Sequence, residues 1–254
     1  MLRRVIVAVG LVACWKPFAP PRPAQRTFEP QIHMARLDNG LRVIALPDAT
    51  ATEIQVTMQV GVGSIDDPPG REGLAHLVEH LMYQQVLEGE SLFANLERHA
   101  TSFNGATELE ATTFTERAPP ASLDRFVALE AARLALRCET IDAETFARER
   151  EVVRNELRQK SQPLATAAAI HAGLFQPGHP YRALRDSPDS VAAITREQAC
   201  AFADAHYAPD NAVLVVSGNV TAGQVERAAR RVFAALPRRP RPLRPALPPI
   251  ERQT

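Results

Sequence analysis

The spacing of apolar residues changes near residue 70, and this change constrains the fold of the 254-residue chain more than any other feature. In residues 53–62, apolar and polar side chains alternate, which predicts a strand with one buried face. Residues 72–86 instead carry an apolar stripe at helical spacing, formed by Leu74, Leu77, Val78 and Leu81. A chain with such a strand and such a helix must bury both apolar surfaces in one core, so helices have to pack on a sheet.

The other predicted elements give a mixed order of strands and helices. Asp38-Asn39-Gly40, between the apolar runs of residues 31–46, predicts a hairpin of two strands. Further strands are predicted at residues 101–107, 110–117 and 212–217. Further helices are predicted at residues 91–99, 121–137, 142–160, 164–175, 189–205 and 221–235. This order predicts an α+β fold in which helices cover a mostly antiparallel sheet.

The predicted elements all lie in residues 31–236, which is enough chain for one large domain. Residues 15–30 are Pro-rich and aperiodic and are predicted to be a flexible tether, and residues 237–254 are predicted to be a Pro/Arg-rich linker or tail. The chain has 29 basic and 29 acidic residues, so its formal net charge is zero. Without excess positive charge, and without aromatic residues between the arginines of the tail, we expect no nucleic-acid partner.

Residues 1–14 have the pattern of a bacterial export signal. Basic Arg3 and Arg4 precede a short apolar run that ends at Ala13, and this run is too short to span a membrane as a helix. The following Cys14 completes a Leu-x-small-Cys sequence that resembles the lipobox of bacterial lipoproteins. The alternatives are a plain secretory signal or a chance cysteine. The pattern predicts a periplasmic protein of the bacterial cell envelope, anchored to a membrane through lipid on Cys14.

The remaining cysteines add little to this picture. Cys138 lies at the end of the helical stretch predicted at residues 121–137, and Cys200 lies inside the helix predicted at residues 189–205. Two buried thiols and a disulfide bond are both compatible with the sequence, which does not by itself pair the two residues.

Residues 76–80 carry the side chains of a candidate metal site on the helix predicted at residues 72–86. His76 and His80 are one turn apart, so both imidazoles can reach one ion, and imidazole is a common zinc ligand. Glu79 lies on the same side of the helix and can accept a proton from a water that the metal activates. This H-x-x-E-H order is that of the inverzincin peptidases, the reverse of the thermolysin-type order. A helix can also carry these residues by chance, so the five residues alone do not establish a metal site.

A catalytic zinc site needs a third protein ligand and an open position. The helix predicted at residues 142–160 offers four carboxylates, those of Glu144, Glu149, Glu151 and Glu156. Glu149 and Glu156 are seven residues apart, about two turns, and therefore share a face of the helix. The spacing does not choose between these candidates.

The chain resembles the pitrilysin/insulinase family of zinc peptidases, and in particular mitochondrial processing peptidase and its bacterial relatives. The resemblance runs from about residue 34 to about residue 236. It includes Leu37–Val43, which is similar to the family's opening L-x-N-G-L-x-V, and the residues Gly73-Leu74-Ala75-His76 that lead into the histidine motif.

The resemblance selects the remaining site residues. In the family, the third metal ligand is a glutamate about 76 residues after the second histidine, which implies Glu156 here, and a further glutamate one heptad earlier implies Glu149 as a supporting residue of the active site. The implied cofactor is one Zn²⁺ per chain, held by His76, His80 and Glu156, with Glu79 as the catalytic base.

The segment that begins at Asn104 is similar to the family pattern N-A-x-T-x-x-D-x-T-x-Y. Gly105, Glu110 and Phe114 replace the Ala, Asp and Tyr of that pattern. In the family, this hairpin includes the sheet edge to which the substrate adds as an extra strand. The resemblance therefore implies three substrate-binding residues here, namely Asn104, Ala106 and Thr107.

Members of the family carry a second, homologous domain whose Arg/Tyr pair completes the active site. The chain resembles only the first domain, so residues 31–236 would be a zinc peptidase N-terminal-type domain, one half of the two-domain pitrilysin-type architecture. The implied function is that of a zinc metalloendopeptidase half, which cleaves extended peptides or proteins together with a homologous second half. The alternatives are a non-catalytic partner or scaffold subunit and a truncated, inactive homologue. Non-catalytic members usually lose the motif residues that this chain retains, which favours the enzyme.

The predicted lipid anchor can be tested directly. Cys14→Ser should abolish acylation, because Cys14 carries the thiol to which the lipid would be attached. Labelling with a fatty-acid analogue, followed by separation of membranes from soluble periplasm, should find label and membrane association in the wild type only. A wild-type protein that is soluble in the periplasm, with its N-terminus cut elsewhere, would contradict the assignment.

Overall fold

The structure is a computed structural model. It describes residues 31–135, 140–182, 186–240, 242–244 and 246–250. The predicted signal segment at residues 1–14, the predicted tether at residues 15–30, and Cys138 lie outside the described residues. Cys200 lies within them and is disulfide-bonded.

Six of the eight strands in the described part of the chain form one sheet. The strands are β1 (His33–Arg36), β2 (Arg42–Pro47), β3 (Ile54–Val60), β4 (Val86–Leu87), β5 (Glu90–Ser91), β6 (Ser102–Thr107), β7 (Thr112–Ala118) and β8 (Ala212–Gly218). The order in the main sheet is β1-β2-β8-β3-β7-β6, whereas β4 and β5 form a small separate hairpin. Neighbouring strands of the main sheet are antiparallel except β2 and β8, so the predicted, mostly antiparallel sheet is confirmed.

Helices pack on this sheet, which confirms the predicted α+β class. They are α1 (Leu74–Tyr83), α2 (Leu92–His99), α3 (Leu123–Leu134), α4 (Ala143–Gln159), α5 (Ser161–Leu174), α6 (Pro188–Ala192), α7 (Arg196–His206) and α8 (Ala222–Phe233). Helix α1 contacts β6, α3 contacts β3, and α8 contacts β2. Within the residues described, no helix combines the length and the apolar character that a membrane crossing requires.

The hairpin predicted around Asn39 and Gly40 joins β1 to β2, as the sequence indicates. Gly40 has a φ of +97°, a left-handed conformation that glycine adopts without strain. The Asn39 side chain donates hydrogen bonds to the carbonyl oxygens of Phe233 (2.7 Å) and Leu236 (3.1 Å), just at and beyond the end of α8. A turn near the start of the domain therefore also satisfies backbone groups at its last helix.

Several predicted helices differ from the structure, and α5, for example, begins at Ser161 rather than at residue 164. The helix predicted at residues 189–205 is divided into α6 and α7, because Thr195 caps a new helix by accepting a hydrogen bond from the N–H of Gln198. Helix α1 ends at Tyr83 rather than at residue 86, because the chain turns there into the short β4–β5 hairpin, which the sequence did not predict.

A cluster of buried charges lies where α3 packs on the sheet. Arg133 is fully buried and donates hydrogen bonds to both carboxylate oxygens of Glu130 (3.0 and 3.2 Å) and to Glu116 of β7 (3.0 Å). Its guanidinium also lies 3.9 Å from the centroid of the Phe114 ring and 5.0 Å from that of Tyr83. Burial, reinforced by the neighbouring Glu130 carboxylate, raises the pKa of Glu116 and so favours its protonated form.

Candidate metal centre and active site

A glycine and an aspartate side chain fix the turn at which the helix with both histidines begins. Gly73, immediately before α1, has a φ of +92°, and a Cβ at this position would lie 2.5 Å from Cγ2 of Val191. The carboxylate of Asp67 accepts hydrogen bonds from the backbone N–H groups of Gly73 (2.7 Å) and Ala75 (2.8 Å). Such groups at a helix start lack partners within the helix. These contacts fix the start of α1 and therefore the position of His76, the third residue of the helix.

The two histidines of α1 converge as their spacing predicts. The ring centroids of His76 and His80 are 5.2 Å apart, and their side chains are 17% and 18% exposed. Burial, followed by the proximity of His80, lowers the pKa of His76 to about 4. A neutral imidazole is the form that binds a metal ion, so this environment suits a ligand.

Helix α4 brings carboxylates to the same point. The Asp142 side chain caps its start by accepting a hydrogen bond from the N–H of Thr145 (2.6 Å). Val153 and Leu157 are buried against the rest of the domain, and α4 packs on α1. This packing places Glu156 beside both histidines, with one oxygen 3.4 Å from Nε2 of His80 and the other 3.8 Å from Nε2 of His76.

The donor set of these three residues fits a zinc ion. One ligand atom from each of His76, His80 and Glu156 can be chosen so that all three lie within 4.8 Å of one another. Two donors bound at ~2.0–2.1 Å to a tetrahedral ion are roughly 3.4 Å apart, so small side-chain movements suffice to close the site. Two imidazoles and one carboxylate are also a ligand set used by catalytic zinc sites.

Glu149 supports this group rather than joining it. One of its oxygens lies 3.5 Å from Nδ1 of His80, the ring nitrogen that does not face Glu156. A carboxylate on the second nitrogen orients a metal-binding histidine and makes it a better donor. Arg148 in turn donates a hydrogen bond to Glu149 (3.1 Å), and Lys160 donates one to Glu156 (2.9 Å).

Glu79 lies beside the three metal-binding candidates but is held by a different partner. Its Oε2 accepts a hydrogen bond from the hydroxyl of Thr107 on β6 (2.7 Å). Burial raises the pKa of Glu79, and the hydrogen bond from Thr107 acts in the opposite direction. A buried carboxylate oriented by one hydrogen bond next to a metal site has the position of a general base.

These side chains face one open cavity of about 890 Å³, whose lining combines α1, α4 and the edge strand β6. The predicted substrate-binding residues Asn104, Ala106 and Thr107 all line it. Thr107 points towards Glu79, whereas Asn104 and Ala106 belong to the alternate, more exposed face of β6. The structure therefore brings every predicted site residue within the described ranges to one cavity, and Cys14 lies outside those ranges.

The cavity also has a wall that the sequence analysis missed. Tyr83, Phe93 and Phe103 form an aromatic cluster with ring centroids 5.6 to 6.4 Å apart. Tyr83 follows His76 by seven residues, so helical spacing could have placed it on the metal-binding face. Phe93 and Phe103 come from α2 and β6, and no local signal joins them to the motif.

Gly105 on β6 leaves the space that the Glu79 carboxylate occupies. A Cβ at residue 105 would lie 2.5 Å from Oε1 of Glu79 and 2.8 Å from the hydroxyl oxygen of Tyr83. Both distances are shorter than van der Waals contact, so a larger residue would displace one of these groups. The replacement of alanine by glycine, noted above as a departure from the family pattern, therefore matches the way Glu79 is packed here.

Sequence comparison with protein families gives two matches. Residues 42–186 match the family described as insulinase (peptidase family M16), and residues 193–254 match the peptidase M16 inactive domain. The first match covers more than half of the chain and contains all the residues gathered around the cavity that we have named so far.

Individual relatives agree with this match. The chain is 32% identical over 234 residues to coenzyme PQQ synthesis protein F of Pseudomonas aeruginosa, covering 87% of this chain and 29% of that protein. Among solved structures, pitrilysin superposes with a TM-score of 0.76 at 23% identity, covering 89% of this chain and 25% of pitrilysin. The first half of the periplasmic protease PqqL from Escherichia coli superposes with a TM-score of 0.72 at 22% identity, covering 85% and 48% of the two chains.

The match covers only part of the length of each relative. The chain spans less than half the length of the curated relatives it matches, between 19% and 48%. The superpositions, all below 25% identity, establish the shared fold.

The packing at Gly105 gives a stability prediction. Gly105→Ala should lower the free energy of unfolding by about 1–3 kcal/mol, because the new methyl group overpacks against Glu79 and Tyr83. The control is Gly173→Ala in α5, where a Cβ would meet no atom of the described residues within 4 Å. That control should leave stability unchanged or raise it by about 0.5–1 kcal/mol, the usual gain for alanine in a helix. Urea unfolding of both variants measures the change in stability. Equal unfolding midpoints for the two variants would show that a methyl group at residue 105 is accommodated without strain.

Proposed function

The chain belongs to the insulinase (peptidase M16) family, and from this we propose that it is the metal-binding half of a zinc-dependent endopeptidase acting on extended peptides or proteins. The observation that carries the proposal is the convergence of His76, His80 and Glu156, with Glu79 beside them, on one open cavity. A structural zinc site has four protein ligands, whereas a catalytic one has three and an open position, and three candidate ligands meet here among the described residues.

The chemistry divides among these residues. Zn²⁺, when bound, supplies a Lewis acid that polarises the scissile carbonyl and lowers the pKa of the attacking water. His76, His80 and Glu156 would hold the ion, and Glu149 would keep the His80 ring in its binding orientation. Glu79 would accept the proton of the attacking water on its carboxylate and pass it to the leaving amine. The Thr107 hydroxyl would keep that carboxylate turned towards the cavity.

The substrate would lie along β6. This strand is at the edge of the sheet, and its outer side pairs with no other strand of the described residues. An extended peptide that adds to such an edge gains backbone hydrogen bonds without regard to sequence. Asn104, Ala106 and Thr107 would contact it, and the register would place a peptide bond near Glu79.

A second half of the same family is the proposed partner. The cavity is open on one side, and the chain spans only 29% and 48% of two related proteins. An opposing wall would exclude water and add donors to the developing oxyanion, which the family resemblance assigns to an Arg/Tyr pair. The alternative is a non-catalytic subunit or an inactive homologue. The match of residues 193–254 to a domain described as inactive supports considering this alternative, and the experiments below test it.

We further propose a periplasmic location, with a lipid anchor at Cys14. The export pattern of residues 1–14 is the main support. The disulfide bond at Cys200 fits an oxidising compartment, and one structural relative is named as a periplasmic protease.

Zinc content and activity together should separate the base from the ligands. His80→Ala should lose both zinc and peptide hydrolysis, because it removes one of three donors. Glu79→Gln should keep about one zinc per chain while hydrolysis falls by roughly 10²–10⁴-fold, the usual contribution of a general base. Metal analysis of the purified proteins and cleavage of a quenched fluorescent peptide measure the two properties.

The matched control for that experiment is His33→Ala, because His33 is exposed on β1 and distant in sequence from the motif. It should keep both zinc and activity. Equal zinc in wild type and His80→Ala would overturn the ligand assignment. Full activity in zinc-loaded Glu79→Gln would overturn the role of Glu79. A wild-type chain that binds zinc but cleaves no peptide, alone or with a second half, would favour the non-catalytic alternative.

The second half should raise activity. At equal zinc loading, the chain alone should hydrolyse the quenched peptide roughly 10²–10³-fold more slowly than the chain combined with its homologous half, the loss expected when an oxyanion donor is missing. The measurement compares the isolated chain, the separate half, and the mixture. A full rate from the isolated chain, with no gain on mixing, would exclude the need for a partner.

A further inference from the structure

Arg244 of the Pro/Arg-rich tail is not a solvated linker residue. Its guanidinium forms a two-pronged ion pair with the carboxylate of Asp66, one contact being 2.7 Å from Nε to Oδ1. It also donates hydrogen bonds to the carbonyl oxygens of Glu110 (2.7 Å) and Gly61 (3.2 Å). The side chains of Arg244 and Asp66 are 21% and 9% exposed, so water screens this pair less than a surface pair.

These partners belong to two segments that meet next to the active site. Residues 61–67 connect β3 towards α1 and include Asp67, which caps the start of α1. Residues 108–111 form the turn between β6 and β7, directly after Thr107. We call these the helix loop and the strand turn.

The helix loop and the strand turn are also joined by backbone hydrogen bonds. The N–H of Ser64 donates to the carbonyl of Glu108, and the N–H of Ile65 donates to that of Leu109, each at 3.0 Å. Arg244 contacts both segments at once, through Asp66 and Gly61 on one side and Glu110 on the other. Arginine suits this place because its planar group reaches several acceptors in fixed directions.

We propose that Arg244 is a positioning residue for the active site, which fixes the end of β6 relative to the start of α1. The Thr107 hydroxyl reaches Glu79 across this boundary, so a shift of the strand turn changes the bond that orients the carboxylate. The same shift moves the edge of β6 on which a peptide would lie. This second consequence rests on the proposed function, whereas the structural link does not.

Other arginines of the tail make contacts elsewhere and provide the control. Arg239 pairs with Asp204 and donates to the carbonyl of Tyr207 (2.6 Å), at the end of α7. Arg238 reaches Asp210 at 3.4 Å from an exposed position. Neither of these contacts involves the helix loop or the strand turn, so the loss of Arg238 should leave both unchanged.

Hydrogen exchange of the zinc-free full chain tests the structural link. In Arg244→Ala, the amides of the helix loop and the strand turn should exchange roughly tenfold faster or more, because a charge-assisted contact to both is lost. Arg244→Lys keeps the charge but not the two-pronged contact and should give an intermediate rate. Arg238→Ala should exchange as wild type does. Wild-type rates in both segments of Arg244→Ala would overturn the proposal, as would faster exchange spread evenly over the whole domain.

Ligand binding separates positioning from a general loss of stability. With a fluorescein-labelled ten-residue peptide and Glu79→Gln as background, adding Arg244→Ala should weaken peptide binding at least roughly threefold. Zinc affinity should stay close to that of the background, because neither segment contains a ligand. Parallel losses of zinc and peptide binding would instead indicate a structural role only. If no variant binds peptide, the proposed function fails, while the exchange result still decides the link.

Discussion

The candidate site depends on one constraint: helix α1 is largely buried and yet carries two histidines and a glutamate. Seven of its ten residues are buried, and one of the seven is Glu79. The apolar stripe that packs α1 on the sheet and on α4 leaves a narrow face for both histidines and this glutamate. A buried carboxylate is costly unless it is hydrogen-bonded, so the position of β6, which supplies the Thr107 hydroxyl, is tied to the stability of α1.

The charge cluster at Arg133 supports the same region from the opposite side. Removing one partner of a buried ion pair costs about 3–5 kcal/mol, because the other charge remains unpaired, whereas the intact pair adds little stability. The main effect of the cluster is therefore to fix the relative positions of the elements that it contacts. Arg133 lies against the rings of Tyr83, the last residue of α1, and Phe114 of β7. Arg133 thus holds the end of the helix that carries the two candidate histidine ligands against the strand that pairs with β6.

Sequence alone predicts the parts of the site that depend on local spacing. The single turn between His76 and His80 and the two turns between Glu149 and Glu156 follow from helical geometry, and the hairpin at Asn39-Gly40 follows from turn chemistry. The aromatic cavity wall joins residues of three elements, so no local pattern reveals it. Arg133 lies in a predicted helix rich in Ala, Leu, Arg and Glu, and an arginine is ordinarily expected on the exposed face of such a helix. Its burial depends on partners that the fold brings to it.

The candidate site is built from packed helices and from an edge strand. A contact far from the candidate ligands can therefore still change the position of the edge strand. The three candidate ligands lie on packed helices, where rotation or translation of one side chain requires movement of a whole element. Strand β6, along which substrate would lie, is at the sheet edge and pairs only with β7 among the strands that the structure describes. Its end therefore needs a separate fixed point, which Arg244 supplies through the strand turn. If the cavity binds zinc and peptide as proposed, packed ligand helices and a separately anchored edge strand would let peptide binding act on Glu79, through Thr107, without disturbing the ligands.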